Sequence, residues 1–163
     1  AAVNPDATEV CDAANLDENC NGVADNPDQT VNPATKSDFY VDSDRDGYST
    51  DEVVRWCDGF PGILATRSAV LDCDDFLGSI NPGAAEHCDA GNVDENCNGV
   101  ADNADASAAD AGKTGFYADI DNDTYTLAAS SRFCDLPSGF RVQASALADC
   151  NDANAWGHVI LNC

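Results

Sequence analysis

The feature that most constrains this chain is an internal repeat at a fixed offset of 77 residues. The segment NPDATEVCDAANLDENCNGVADN at 4–26 returns as NPGAAEHCDAGNVDENCNGVADN at 81–103, with 18 of 23 positions identical. FYVDSDRDGYST at 39–50 returns as FYADIDNDTYTL at 116–127. Cys11, Cys20, Cys57 and Cys73 return as Cys88, Cys97, Cys134 and Cys150. A tandem array is held by its units and their neighbours and needs no single central core. The pattern predicts a metal-binding repeat over 1–77, a second over 78–152, and an apolar tail at 153–163 as a candidate contact between subunits.

The composition shows why a core is not expected. Leu, Ile, Val and Phe number 30 of 163 residues, while Asp+Glu is 30, Lys+Arg is 7 and the net charge is −23. So few large apolar side chains with so much charge normally leave a chain disordered. Two other sources of order are visible. Nine cysteines suit an extracellular or cell-surface location, where disulfides persist. Clustered carboxylates suit hard divalent cations; generic halophilic solvation would spread them evenly. Nucleic acid is a poor partner because no basic patch meets phosphate. No 18-residue apolar run is present, so no membrane insertion is expected.

These constraints predict a small, loop-rich, mainly β or irregular fold: two tandem calcium- and disulfide-stabilised repeats with little regular secondary structure. Val53–Trp56 and Gly139–Val142 read as strands, Pro61 with Gly62 and Pro137 with Ser138 as turns, and Ala144–Leu147 as a short helix.

The acidic loops carry the chemistry. DENCNGVADNPD at 17–28 fills a twelve-residue calcium-loop register. Asp17, Asn19 and Asn21 stand at positions 1, 3 and 5, Gly22 turns at 6, the Val23 carbonyl falls at 7, and Asp25 and Asp28 at 9 and 12. The copy has Asp94, Asn96, Asn98, Gly99, Val100, Asp102 and Asp105. A bare Asx turn is the alternative. A second loop places Asp42, Asp44 and Asp46 at alternate positions with the Tyr48 carbonyl following; its copy has Asp119, Asp121, Asp123 and Tyr125. Thr124 stands where the first copy has Gly47, and threonine disfavours positive φ, so distortion is expected there. Neither second loop has an acid at position 12. Asp72, Asp74 and Asp75, and in the copy Asp149, Asn151 and Asp152, are candidates to complete it, with Glu86 a further one. His87 replaces Val10 between repeats and reads as surface decoration. Asn122, Asp123 and Thr124 spell a glycosylation sequon inside the second metal loop.

FYVDSDRDGY, Cys57, DCDD at 72–75, NPGAAE at 81–86, CD at 88–89 and DENCNG at 94–99 resemble the metal-binding motif repeat of secreted bacterial proteins. The acidic loops are also similar to thrombospondin type 3 repeats. The resemblance implies calcium-rich extracellular modules without catalysis. Copper, associated with one member of that family, finds few soft or imidazole donors here.

Sequential pairing (11–20, 57–73, 88–97, 134–150) and a shifted scheme (20–57, 73–88, 97–134, 150–163) both pair eight of the nine cysteines; connectivity does not follow from sequence alone, and the first is favoured because it recurs within each unit. The first leaves Cys163 over, the second Cys11, and either is a candidate inter-chain disulfide. The chain starts and stops out of phase with its own repeat, which suggests head-to-tail homopolymers or a piece of a longer array. The expected function is a secreted calcium-binding structural protein, a subunit of a filament or surface stalk. The alternative is a calcium-dependent adhesion module binding glycan or protein through its calcium loops or Trp56 and Trp156. An enzyme is not expected, because nearly all the acids belong to repeating loops.

Overall fold

The computed structural model describes residues 3–153; Trp156, His158, Cys163 and most of the expected tail lie outside them. The chain divides into two compact units, Ala1–Pro82 and Gly83–Cys163. In unit 1 a 3-10 turn at Pro33–Thr35 leads into β1 (Ser37–Val41), β2 (Val53–Trp56) and β3 (Ile63–Leu64). Unit 2 has 3-10 turns at Asp102–Ala104 and Asp110–Gly112, then β4 (Thr114–Ala118), β5 (Ser130–Phe133) and β6 (Phe140–Arg141). Each unit holds one three-stranded antiparallel sheet with the aromatic strand central, in the orders β2-β1-β3 and β5-β4-β6.

Local sequence explains these short elements. Asn32 caps the first 3-10 turn by accepting from Ala34 N at 3.0 Å, with Pro33 in the first position, where its missing N–H costs nothing. In β1, Phe39 turns inward while its neighbours stay partly or fully exposed. At Gly62, φ of +103° turns the chain so that β3 lies back along β1, and the Gly62 carbonyl accepts from Asp42 N at 3.0 Å. Gly139, at φ +77°, does the same for Asp119 N at 2.7 Å.

The strand expected at Val53–Trp56 forms as read, while that at Gly139–Val142 shrinks to Phe140–Arg141. The helix expected at Ala144–Leu147 does not form. Ser145 N donates to Thr126 Oγ1 at 3.0 Å and Thr126 N to Ser145 Oγ at 2.9 Å, and Ala148 bridges Thr126 in parallel. That stapling holds the segment extended.

Both disulfide schemes are corrected, apart from the Cys150–Cys163 pair of the second, which lies outside the described residues. Cys11 bonds Cys57 and Cys88 bonds Cys134, each across 46 residues. The cause lies in the loop end: Asn26 Oδ1 accepts from Cys57 N at 2.6 Å and Asn103 Oδ1 from Cys134 N at 2.7 Å. These contacts hold β2 and β5 against the acidic loops and bring the sulfurs together. Cys73, Cys97 and Cys150 are also disulfide-bonded. Cys11 is therefore not the odd cysteine; among the described residues the free one is Cys20, which is exposed.

The interior is inverted relative to an ordinary domain. Among the described residues five apolar side chains are buried (Val31, Phe39, Ala108, Phe116, Ala118), against eleven carboxylates among the buried polar groups. Buried Asp and Glu are otherwise rare unless paired or bound to metal.

Candidate metal centres

The second loops are where charge and burial meet. The Asp42–Asp46 turn leaves β1 directly, and the Asp72–Asp75 cluster is pinned to it because Asp72 N donates to the Ser49 carbonyl at 3.1 Å. Ser49 is fully buried and exchanges hydrogen bonds with Ser68 at 2.8 and 3.0 Å. Each ring aspartate uses one oxygen to brace the backbone. Asp46 N donates to Asp42 Oδ1 and Asp44 Oδ1, both at 3.2 Å, Tyr48 N to Asp46 Oδ1 at 2.8 Å, and Asp74 N to Asp72 Oδ1 at 3.0 Å. Carboxylate oxygens of Asp42, Asp44 and Asp46 gather within 4.8 Å of one another. Asp44 Oδ2, Asp46 Oδ2 and Asp72 Oδ2 are buried with no hydrogen-bond partner.

Unit 2 repeats this arrangement. Asp123 N donates to Asp119 Oδ1 at 3.0 Å and Asp121 Oδ1 at 3.2 Å, and Asn151 N to Asp149 Oδ1 at 2.7 Å. Asp149 N bonds the Thr126 carbonyl at 2.9 Å, the counterpart of Asp72 on Ser49. Asp119, Asp121 and Asp123 form the second ring, with Asp121 Oδ2 and Asp149 Oδ2 buried without hydrogen-bond partners.

The electrostatics agree. Burial pushes the Asp72 carboxyl above its ordinary value, with the charges of Asp46, Asp44 and Asp75 adding to it. Asp44 rises for the same reasons, burial first and then Asp46, and burial likewise raises Asp152. Acids kept buried without donors and repelling one another need a positive charge among them. A hard cation with six to eight oxygen ligands fits that donor set.

The remaining expected ligands divide. Asp75 turns to Ser43, taking its N–H at 2.9 Å and its hydroxyl at 2.6 Å, while Asp74 Oδ1 accepts from Phe76 N at 3.3 Å. In unit 2, Asp152 Oδ1 accepts from Ile120 N at 2.6 Å. These acids brace the cluster. Glu86 Oε1 accepts from Asp102 N at 3.1 Å, which ties it to the first-type loop of unit 2, and its Oε2 is buried without a hydrogen-bond partner.

The first-type loops close largely on themselves. Asp17 accepts from Asn21 N at 3.1 Å and Gly22 N at 2.8 Å, Asn19 Oδ1 from Asn21 N at 3.0 Å, and Asn21 Oδ1 from Val23 N at 2.8 Å. The side-chain amides of Asn19 and Asn21 donate to Asp28 Oδ2 at 3.2 and 2.8 Å. Those bonds, with the Thr30 hydroxyl foremost, pull Asp28 down to about 2. Asp94, Asn96, Asn98, Val100 and Asp105 repeat the pattern, and Asp105 is lowered chiefly by the Ser107 amide. Asp17, Asn19, Asn21 and Asp28 are thus brought together. Asp25 and Asp102, expected at position 9, adopt φ of +51° and +47° and accept from Asp12 N at 3.2 Å and Asp89 N at 3.1 Å. Asp25 lies within 4.8 Å of the Cys11 and Cys57 sulfurs, but sulfurs bonded to each other offer no thiolate.

Two residues went unread in the sequence. Glu9 is buried and accepts from Glu18 N at 3.1 Å, Asn19 N at 3.3 Å and Asp25 N at 3.3 Å. Glu18 is fully buried and accepts from Val10 N at 3.2 Å, with its Oε1 left without a partner. Their retention as Glu86 and Glu95 was the available signal.

Fold and sites together define a tandem-repeat, disulfide-stapled protein with carboxylate cages shaped for a metal ion. The family model named Cu-binding MopE and described as "Putative metal-binding motif" matches residues 1–26, 72–103 and 149–158. The chain carries that family's metal-binding motif in both repeats, as the sequence resemblance implies. No curated protein and no solved structure matches the chain.

Thr124 does not distort its loop: it adopts φ of +85°, and the aspartate ring keeps the hydrogen bonds of unit 1. A β-branched residue there stores strain. Replacing Thr124 with glycine is expected to stabilise the protein by about 1 kcal/mol, read by denaturant unfolding; unchanged or lower stability would show that no strain is held there.

Proposed function

We propose that this chain is a secreted, calcium-binding structural repeat protein that assembles with copies of itself into an extracellular filament or surface stalk. The observation carrying the calcium reading is the set of inward carboxylate oxygens without donors at Asp44, Asp46 and Asp72, repeated at Asp121 and Asp149. Calcium suits these groups because the donors are carboxylate oxygens and the geometry is that of a flexible loop. Copper and zinc would draw on thiolate or imidazole. Here Cys11, Cys57, Cys73, Cys88, Cys97, Cys134 and Cys150 are oxidised, and His87 is exposed outside both rings. Oxidised cysteines favour an extracellular setting, and among the described residues no helix is long and apolar enough to cross a membrane. The role is structural and non-catalytic, since each acidic ring recurs as part of the fold itself.

Self-assembly is supported by Cys20. It is free and exposed, while its counterpart Cys97 is disulfide-bonded. The repeat thus uses this position for a cross-link, and Cys20 replaces Cys11 as the candidate inter-chain thiol. Adhesion is the second reading, favoured by Phe76, which is 83% exposed immediately after the acidic cluster.

Chelating calcium from the oxidised protein is expected to lower the thermal midpoint by about 10 °C or more. Asp72→Asn should raise the calcium-free midpoint, by relieving repulsion, and shrink the calcium-induced shift. A melt indifferent to chelator would refute the calcium reading. On non-reducing gels the wild type should form covalent multimers that Cys20→Ser abolishes; multimers surviving that substitution would refute the role given to Cys20.

A further inference from the structure

Beside Thr124 for Gly47 and Asn151 for Asp74, the two strand-loop sites differ in the placement of an arginine. In unit 2, Arg141 on β6 extends its guanidinium to Asp119, where Nε pairs with Oδ2. Its Nη2 reaches Asn122 Oδ1 at 3.3 Å. Asp119 is a ring member, only 2% exposed, and its other oxygen already accepts the Asp123 amide. Both oxygens of this carboxylate are therefore engaged. In unit 1 the residue 77 positions earlier is Leu64, which pairs with Tyr40 on β3 as Arg141 pairs with Tyr117 on β6. The loop position changes with it: Arg45 stands where unit 2 has Asn122. Arg45 lies alongside Gly62, and among the described residues it forms no ion pair. The arginine has in effect moved from the loop tip to the sheet, where it reaches the ring.

The consequence is electrostatic. Asp42, Asp44, Asp46 and Asp72 face an incoming cation with four carboxylates and no ion-paired arginine. Asp119, Asp121, Asp123 and Asp149 offer the same four with one already neutralised. A cation entering unit 2 must displace Arg141 from Asp119 or bind beside a fixed positive charge, and either weakens it in a site sheltered from water. Asp149 Oδ2 and Asp121 Oδ2 stay buried without donors even so, so one arginine does not replace the ion. We infer that Arg141 is an internal competitor for the metal, making the unit 2 strand-loop site the weaker of the two calcium sites. The ion would then fill unit 1 first and unit 2 only at higher concentration. This inference rests on the calcium reading above.

The test is calorimetric titration of calcium into the chelator-stripped, oxidised full chain. Asp72→Asn serves as background, so that strand-loop binding reports unit 2. Arg141→Leu, which copies Leu64, is expected to tighten that binding about ten-fold. Leu64→Arg in the otherwise native chain should weaken the stronger strand-loop site by a comparable factor. Arg141→Lys keeps the charge but loses the planar fork and should stay near the wild-type affinity. Circular dichroism confirms that each variant is folded, and Arg141→Leu carries the test if Leu64→Arg is not. Calcium binding that Arg141→Leu leaves unchanged overturns the competitor role and leaves the calcium reading standing. No calcium binding by any variant overturns both.

Discussion

The structure depends on how it handles carboxylates withdrawn from water. Burying a charge costs about several kcal/mol unless donors or a counter-ion compensate, and among the described residues buried acids outnumber buried apolar side chains. Two solutions operate side by side. In the first-type loops, backbone amides and the side chains of Asn19, Asn21 and Thr30 surround Asp28, so that loop is largely closed by its own donors. In the strand loops, each aspartate gives one oxygen to the backbone, while at Asp44, Asp46 and Asp72 the other is left without a donor. The first solution makes rigid turns. The second makes a cage whose charge the chain itself meets only in part, through Arg141 in unit 2.

Disulfides and small sheets make this possible. Cys11–Cys57 and Cys88–Cys134 tie each acidic loop to β2 or β5, closing long segments and removing freedom from the unfolded chain. The sheets are too short to stabilise a domain alone; their contribution is placement. β1 and β4 deliver Asp42 and Asp119 from the ends of central strands, and the bonds from Asp72 and Asp149 to Ser49 and Thr126 close each ring from a distant part of the chain. Duplication then permits divergence, as Thr124 and Arg141 show within unit 2.

Much of this was legible in the residues. The 77-residue offset was plain in the repeated segments and the strand at Val53–Trp56 in its β-branched and aromatic residues, while the approach of Asp72 to the Asp42–Asp46 loop follows from alternating acids and a missing twelfth ligand. The disulfide pairing was not legible, because it depends on Asn26 and Asn103 holding the Cys57 and Cys134 amides from 31 residues away. Asp25 and Asp102 fit a linear ligand register, but their left-handed backbone and their bonds to Asp12 N and Asp89 N are not encoded in spacing. The helix at Ala144–Leu147 lost to a serine–threonine exchange with a distant strand end. Arg141 gave no signal alone; its meaning appears only when β6 sets it against Asp119.

The most direct measurement is an anomalous difference map from crystals of the oxidised chain grown with calcium. A peak is expected in each strand-loop ring, within about 2.3–2.6 Å of oxygens from the ring aspartates and from Asp72 or Asp149. Rings holding only water, with the protein equally ordered in chelator, would contradict the claim that metal ions stand in for a core.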